Sequence, residues 1–179
     1  PPGHGPIHLL ILGGSLGARV FSDIVPPALT ALPEALRARV HVVQQCREED
    51  LDRVAAAYRQ AGIQADLGTF FADVAEKLRA AHLVIARAGA STVAELAVAG
   101  RPSILVPLPG AIDDHQSANA RALATAGGAW VIPQPGFTSA ELATRLAALL
   151  ADPDALALAA DAASGQGRAD AAARLADLV

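Results

Sequence analysis

The sequence predicts an α/β fold in which a parallel β-sheet carries helices on both faces, and three observations point there. Short apolar runs such as Ile7-His-Leu-Leu-Ile-Leu12, His82-Leu-Val-Ile-Ala86 and Ser103-Ile-Leu-Val106 are nearly continuous rather than alternating, which marks strands buried on both sides. Stretches of helical periodicity separate these runs at a spacing that suits βαβ crossovers. Hydrophobic residues make up 53% of the chain but aromatics only 3%, so the core must be built from Ala, Leu and Val. Such side chains let helices lie close on a sheet of branched residues. At 179 residues, there is room for one domain of ordinary size with a real core.

Element by element, Pro1-Pro-Gly-His-Gly-Pro6 is punctuated as a linker, and the domain is expected over 7–179. The first strand, 7–12, ends at Gly13-Gly14. A helix is expected from Gly17 to about Leu32, interrupted or restarted at Pro26-Pro27, because proline removes a donor and clashes with the preceding turn. Val40-His-Val-Val-Gln-Gln45 reads as the second strand. Residues 47–61 read as a helix with Leu51, Val54, Ala55 and Tyr58 on one face, closed by Gly62. A short strand at Gln64–Leu67 precedes a loop through Phe70-Phe71 and a helix at 74–81. Strand 82–86 leads to a helix at Thr92–Val98, and strand 103–106 to a helix at His115–Ala126. A short strand at Ala129–Ile132 and helices near 139–150, 154–163 and 169–178 complete the chain. The alanine-rich stretches 155–163 and 169–173 follow from helix propensity alone.

Composition excludes several classes of function. The formal charge is −4, Lys77 is the only lysine, and the arginines are scattered, so no basic run suits nucleic acid or an anionic membrane surface. Cys46 stands alone, which excludes a disulfide framework. No apolar run reaches the roughly 18 residues of a membrane-spanning helix, and Pro1–Pro6 is not a signal peptide. A cytoplasmic protein is expected.

In an open parallel sheet, ligands bind beyond the carboxyl ends of the strands. Gly13-Gly-Ser-Leu-Gly-Ala-Arg19 combines glycines that let the backbone approach a ligand with a helix start that favours an anion, and Ser15 adds a hydroxyl. It matches neither the dinucleotide fingerprint nor a P-loop, and a ligand-free tight turn is the competing reading. In Arg87-Ala-Gly-Ala-Ser-Thr-Val-Ala-Glu95, Thr92 and Glu95 match a capping box. The functional alternative has the amides of Ala90, Ser91 and Thr92 meeting an anion, with Glu95 accepting from a sugar diol.

Pro107-Leu-Pro-Gly-Ala-Ile-Asp-Asp-His-Gln-Ser-Ala-Asn119 is a rigid loop entering a helix that Asp113 or Asp114 is placed to cap. Gln116 and Asn119 share a face there and suit sugar hydroxyls. Three adjacent residues, Asp113, Asp114 and His115, do not converge on one ion, so no metal is assigned. Phe70-Phe71 is either a cover for a base or a core plug. Cys46 reads as a small buried hydrophobe, and His4, His8, His41 and His82 receive no role.

Taken with Gly100-Arg-Pro-Ser-Ile-Leu-Val-Pro107 and His115-Gln-Ser-Ala-Asn119, these motifs resemble, over nearly the whole chain, the donor-binding C-terminal domain of the MurG-like UDP-N-acetylglucosamine (UDP-GlcNAc) transferases of peptidoglycan synthesis. The resemblance implies a Rossmann-like half of a two-domain GT-B glycosyltransferase. Gly14 and Ser15 would meet the diphosphate, and Phe71 would hold uracil through its backbone. Ala90, Ser91 and Thr92 would line phosphates and sugar, Glu95 would hold the ribose diol, and Gln116 and Asn119 would select GlcNAc. The sequence departs from the family's pattern at 109–114 and at Gln44-Gln-Cys46.

The implied whole enzyme is inverting, uses no cofactor, and passes GlcNAc to lipid I to make lipid II from a peripheral position on the cytoplasmic face of the inner membrane. The lipid acceptor would be held only through an N-terminal domain that these residues do not contain, and no catalytic residue is expected here. This domain alone is expected to lack turnover. Two other readings remain: the donor subunit of a two-chain UDP-GlcNAc transferase, and a nucleotide-binding protein that performs no chemistry.

Overall fold

The structure, a computed structural model, describes residues 4–14, 17–110 and 114–167. The expectations for Ser15, Asp113 and the helix at 169–178 lie outside these residues. Six strands form one parallel sheet: β1 (Ile7–Leu12), β2 (Val40–Gln45), β3 (Gln64–Gly68), β4 (Leu83–Ala86), β5 (Ser103–Leu105) and β6 (Ala129–Val131). Their spatial order is β3-β2-β1-β4-β5-β6, so the chain reverses direction across the sheet between β1 and β4. The register aligns Leu10 with Val43 on one side and Val84 on the other.

β1 is buried on both faces, which is why its sequence does not alternate. Ile7, Leu9 and Ile11 enter a core with Phe21, Val25 and Leu29 of α1 (Arg19–Thr30), Val54 and Tyr58 of α3 (Leu51–Gln60), and Leu142 and Leu146 of α7 (Ser139–Ala151). Leu10 enters the opposite core with Leu78 of α4 (Val74–Ala80), Leu96 of α5 (Ala90–Ala99), and Ala120 and Leu123 of α6 (His115–Thr125). The last described helix, α8 (Pro153–Gln166), serves both cores through Leu156 and Ala163. It passes so close to Gly128 that a Cβ there would lie 2.8 Å from the Ala163 Cα. A single-turn helix α2 (Glu34–Arg37), not foreseen from periodicity, connects α1 to β2.

Three local expectations need correction. Helix α1 runs unbroken through Pro26-Pro27. Pro26 cannot donate to the Ser22 carbonyl, and Arg53 Nη1 of α3 donates to that oxygen instead at 3.3 Å. Helix α5 starts at Ala90 with Gly89 as its N-cap, two residues before the expected start, so Thr92 and Glu95 form no capping box. Asp114 stands at the N-cap of α6 in the left-handed region at φ 50°, yet its side chain makes no cap hydrogen bond. Gly62 does terminate α3: at φ +68° it lets its own N–H reach Arg59 and the Ile63 N–H reach Tyr58.

Candidate functional site

The carboxyl ends of β1 and β4 sit at the topological switch point, and a cleft of about 840 Å³ opens there. On the β1 side, the turn after Gly13 is tight enough that a Cβ on Gly13 would overlap the Ala18 amide nitrogen. Gly14 at φ +83° and Gly17 at φ +69° supply the left-handed conformations, and the Gly17 N–H donates to the Gly14 carbonyl at 3.0 Å. The turn leads into α1, whose first turn no side chain caps. Gln45 at the end of β2 holds the turn from behind. Its Oε1 accepts from the Gly13 N–H at 3.2 Å, and its Nε2 donates to the Thr69 carbonyl at 3.1 Å.

On the β4 side, the first intrahelical bond of α5 runs from the Val93 N–H to the Gly89 carbonyl at 3.0 Å. The amides of Ala90, Ser91 and Thr92 therefore have no acceptor within the helix. Ser91 and Thr92 line the cleft, as do Gly14, Arg19, Arg47 and Arg87. Two helix N-termini and three arginines thus meet in one cleft of a chain whose net charge is negative. An anion with two phosphates suits that field. Arg47 is held at the rim by Asp50 at 2.9 Å and Glu49 at 2.9 Å. Asp50 is buried and also receives Arg53 at 2.8 Å, and these hydrogen bonds from Arg47 and Arg53 hold its carboxyl below the usual range.

Gln116 also lines the cleft, but its Oε1 is committed. It accepts from the Ala88 N–H at 3.3 Å and from the Leu108 N–H at 3.0 Å, joining the β4–α5 and β5–α6 loops. Asn119, one turn further along α6, donates to the Ala88 carbonyl at 3.1 Å and faces α5 in a separate hollow that Ala90 also lines. Glu95 lies outside the main cleft, in a groove of about 530 Å³ between α4 and α5 that Ala72, next to Phe71, also lines. Phe71 is half-buried against Gly68, with the Lys77 ammonium 4.8 Å from its ring centroid. Phe70 is 76% exposed, so it is no core plug. Cys46 is buried, and that burial raises its thiol pKa, as a packed hydrophobe requires.

Of the nine expected binding residues, Gly14, Ser91, Thr92 and Gln116 therefore share the cleft, while Glu95 and the segment after Phe71 share the neighbouring groove. Ala90 and Asn119 line the separate hollow between α5 and α6 instead. Sequence reasoning assigned no role to Arg19, Arg47, Arg87 or Gln134, all of which line the cleft. For Arg87, the signal was a charge directly after a buried strand; Gln134, inside Pro133-Gln-Pro-Gly136, carried none. Among the described residues, no three His, Cys, Asp or Glu side chains converge as metal ligands.

Comparison with known proteins matches residues 8–175 to the glycosyltransferase family 28 C-terminal domain. A UDP-N-acetylglucosamine--N-acetylmuramyl-(pentapeptide) pyrophosphoryl-undecaprenol N-acetylglucosamine transferase of Granulibacter bethesdensis is 65% identical, over 100% of this chain and 47% of that protein. A protein of the same name from Paramagnetospirillum magneticum is 59% identical over 98% of this chain and 47% of its own length. The chain thus spans about half the length of these relatives. Among solved structures, Acinetobacter baumannii MurG superimposes with a TM-score of 0.90 at 34% identity, covering 100% of this chain and 53% of that one. WaaG, a glycosyltransferase involved in lipopolysaccharide biosynthesis, shares the fold at a TM-score of 0.71 and 23% identity, over 97% of this chain and 47% of its own.

Proposed function

The chain belongs to the glycosyltransferase family 28 C-terminal domain family, and from that premise we propose that residues 7–179 form the UDP-GlcNAc-binding half of an inverting MurG-like transferase. The observation that carries this reading is the convergence of two helix N-termini and three arginines on one cleft at the sheet's switch point. The amides at the starts of α1 and α5 would hold the diphosphate. Gly14 would allow the close approach, and Arg19, Arg47 and Arg87 would add positive charge. Glu95 would accept from both hydroxyls of the ribose, and the backbone beside Phe71 would meet the uracil. Gln116 and Asn119 would shape the wall against the GlcNAc.

In the transfer itself, a hydroxyl displaces UDP from the anomeric carbon, and negative charge grows on the leaving diphosphate. Preoriented amides and arginines stabilise that charge without reorganising, which is this domain's contribution to the rate. The base and the lipid-linked acceptor would belong to the other half of the enzyme, so this domain alone binds the donor and does not turn it over. The full enzyme would pass GlcNAc to lipid I, making lipid II, as a peripheral protein on the cytoplasmic face of the inner membrane. Among the described residues, no helix is long and apolar enough to cross a membrane.

Titration calorimetry with UDP, UDP-GlcNAc and UDP-glucose tests the reading. Binding of UDP with UDP-GlcNAc preferred over UDP-glucose is the expected result. Absence of binding, or equal affinity for an unrelated nucleotide, overturns it.

A further inference from the structure

Arg87 follows β4 directly, and its guanidinium reaches three other segments. Nη1 donates to the Val106 carbonyl at 3.1 Å and to the Pro107 carbonyl at 3.3 Å, where β5 gives way to the loop before α6. Nη2 donates to Gln134 Oε1 at 2.7 Å, beyond β6. The guanidinium carbon stands 5.3 Å from the ring centroid of Phe21 on α1. Among the described residues Arg87 pairs with no carboxylate, so every partner is neutral. Three of its five N–H groups are thereby committed to neighbouring loops.

The next residue, Ala88, gives its N–H to Gln116 Oε1, and the same oxygen takes the Leu108 N–H at 3.0 Å. Gln116 thus bridges the same two loops that the Arg87 guanidinium joins. With Oε1 occupied on both sides, only the Gln116 NH₂ remains to meet a ligand. We propose that Arg87 is a positioning residue: its planar fork holds the β4–α5 and β5–α6 loops at the distance at which Gln116 presents its amide donors to the sugar part of the ligand. This inference rests on the nucleotide-sugar reading above for the identity of the ligand, but not for the bracing itself. A lysine cannot replace the fork, because one ammonium on a flexible stem does not span two carbonyls and a side-chain amide while stacking on a ring.

The test uses Arg87→Lys in the chain as it stands, with two measurements. The first is amide hydrogen exchange without ligand. Protection of the Ala88 and Leu108 amides is expected to fall about tenfold, while that of Leu10 in the core is retained. The second is the affinity for UDP-GlcNAc relative to UDP. The increment due to the sugar is expected to fall by about tenfold, with a smaller loss for UDP itself. Equal losses for UDP and UDP-GlcNAc, with Ala88 and Leu108 still protected, overturn the proposal and make Arg87 a direct diphosphate contact. If the unaltered chain binds neither nucleotide, the functional reading fails, and the exchange data alone decide whether Arg87 braces the loops. Should Arg87→Lys not fold, Gln134→Ala removes one arm of the fork from outside, and the same two measurements apply.

Discussion

Replacing Glu95 by alanine separates binding from stability with unusual clarity. The capping-box reading would make this carboxylate part of the helix start, but α5 begins at Ala90 and Gly89 is its N-cap. Glu95 is exposed, and its carboxylate makes no hydrogen bond or ion pair among the described residues. A surface substitution of that kind shifts stability by no more than about 0.5 kcal/mol, which for a domain of this size is about 1–2 °C in melting temperature. If Glu95 accepts from the ribose diol, the change removes charge-assisted hydrogen bonds worth about 1.5–3 kcal/mol. That corresponds to a roughly ten- to 150-fold loss of UDP affinity, and the open groove between α4 and α5 favours the lower end. Calorimetry with UDP and with 2′-deoxy-UDP, on the unaltered chain and on Glu95→Ala, completes a double-mutant cycle. The two losses should be non-additive, because both remove the contact between Glu95 and the 2′-hydroxyl. A fall of many degrees in melting temperature with UDP affinity unchanged would refute the argument and return Glu95 to a structural role.

Other consequences follow from the same geometry. Gly13→Ala forces a methyl into the Ala18 amide nitrogen, so it should cost about 1–3 kcal/mol and weaken UDP and UDP-GlcNAc alike; thermal melting and calorimetry read both. Thr138 caps α7 by accepting from the Glu141 N–H at 3.2 Å. Thr138→Ala should therefore cost about 1 kcal/mol, about 2–4 °C, with nucleotide binding untouched. His82 Nδ1 accepts the His8 N–H at 2.9 Å, which requires an unprotonated nitrogen, and burial, with the neighbouring His8 and Arg101, lowers its pKa to about 4. Its folded pKa lies below the ordinary 6.5, so its contribution to stability is present above pH 6.5 and is lost as pH falls from 6.5 towards 4. In His82→Asn, Oδ1 can accept the same N–H without titrating, so melting temperature should fall less steeply between pH 7 and 5. Identical slopes in the two proteins would remove His82 from the acid response.

How far the sequence could be read depends on how local each signal is. The strands were legible because burial on both faces demands a continuous apolar run, and β1 and β4 show one. Helix ends were less so. Thr92 and Glu95 have the spacing of a capping box, but Gly89 at the end of the Arg87-Ala-Gly turn lets the helix begin earlier. Pro26-Pro27 looked like a break because proline strands a carbonyl, and the donor that rescues it, Arg53, lies on another helix. The site was legible as motifs at strand ends, since glycine turns and helix starts carry their chemistry in consecutive residues. Gln116 was visible as an amide near a helix start, but not as one whose oxygen two loops already occupy.

By itself, then, the sequence determined the α/β class, the position of nearly every strand, and the motifs that carry the family resemblance. These depend on interactions within a few residues or on burial averaged over a whole strand. Tertiary structure alone decided the strand order β3-β2-β1-β4-β5-β6, and with it the placing of the β1 and β4 motifs on one cleft rather than at opposite edges. It also decided which polar groups line the cleft and which are tied up holding its walls. Arg87 and Gln134, 47 residues apart, meet at 2.7 Å because β4 and β6, separated only by β5, both end at the same edge of the parallel sheet, a proximity that sequence spacing does not encode.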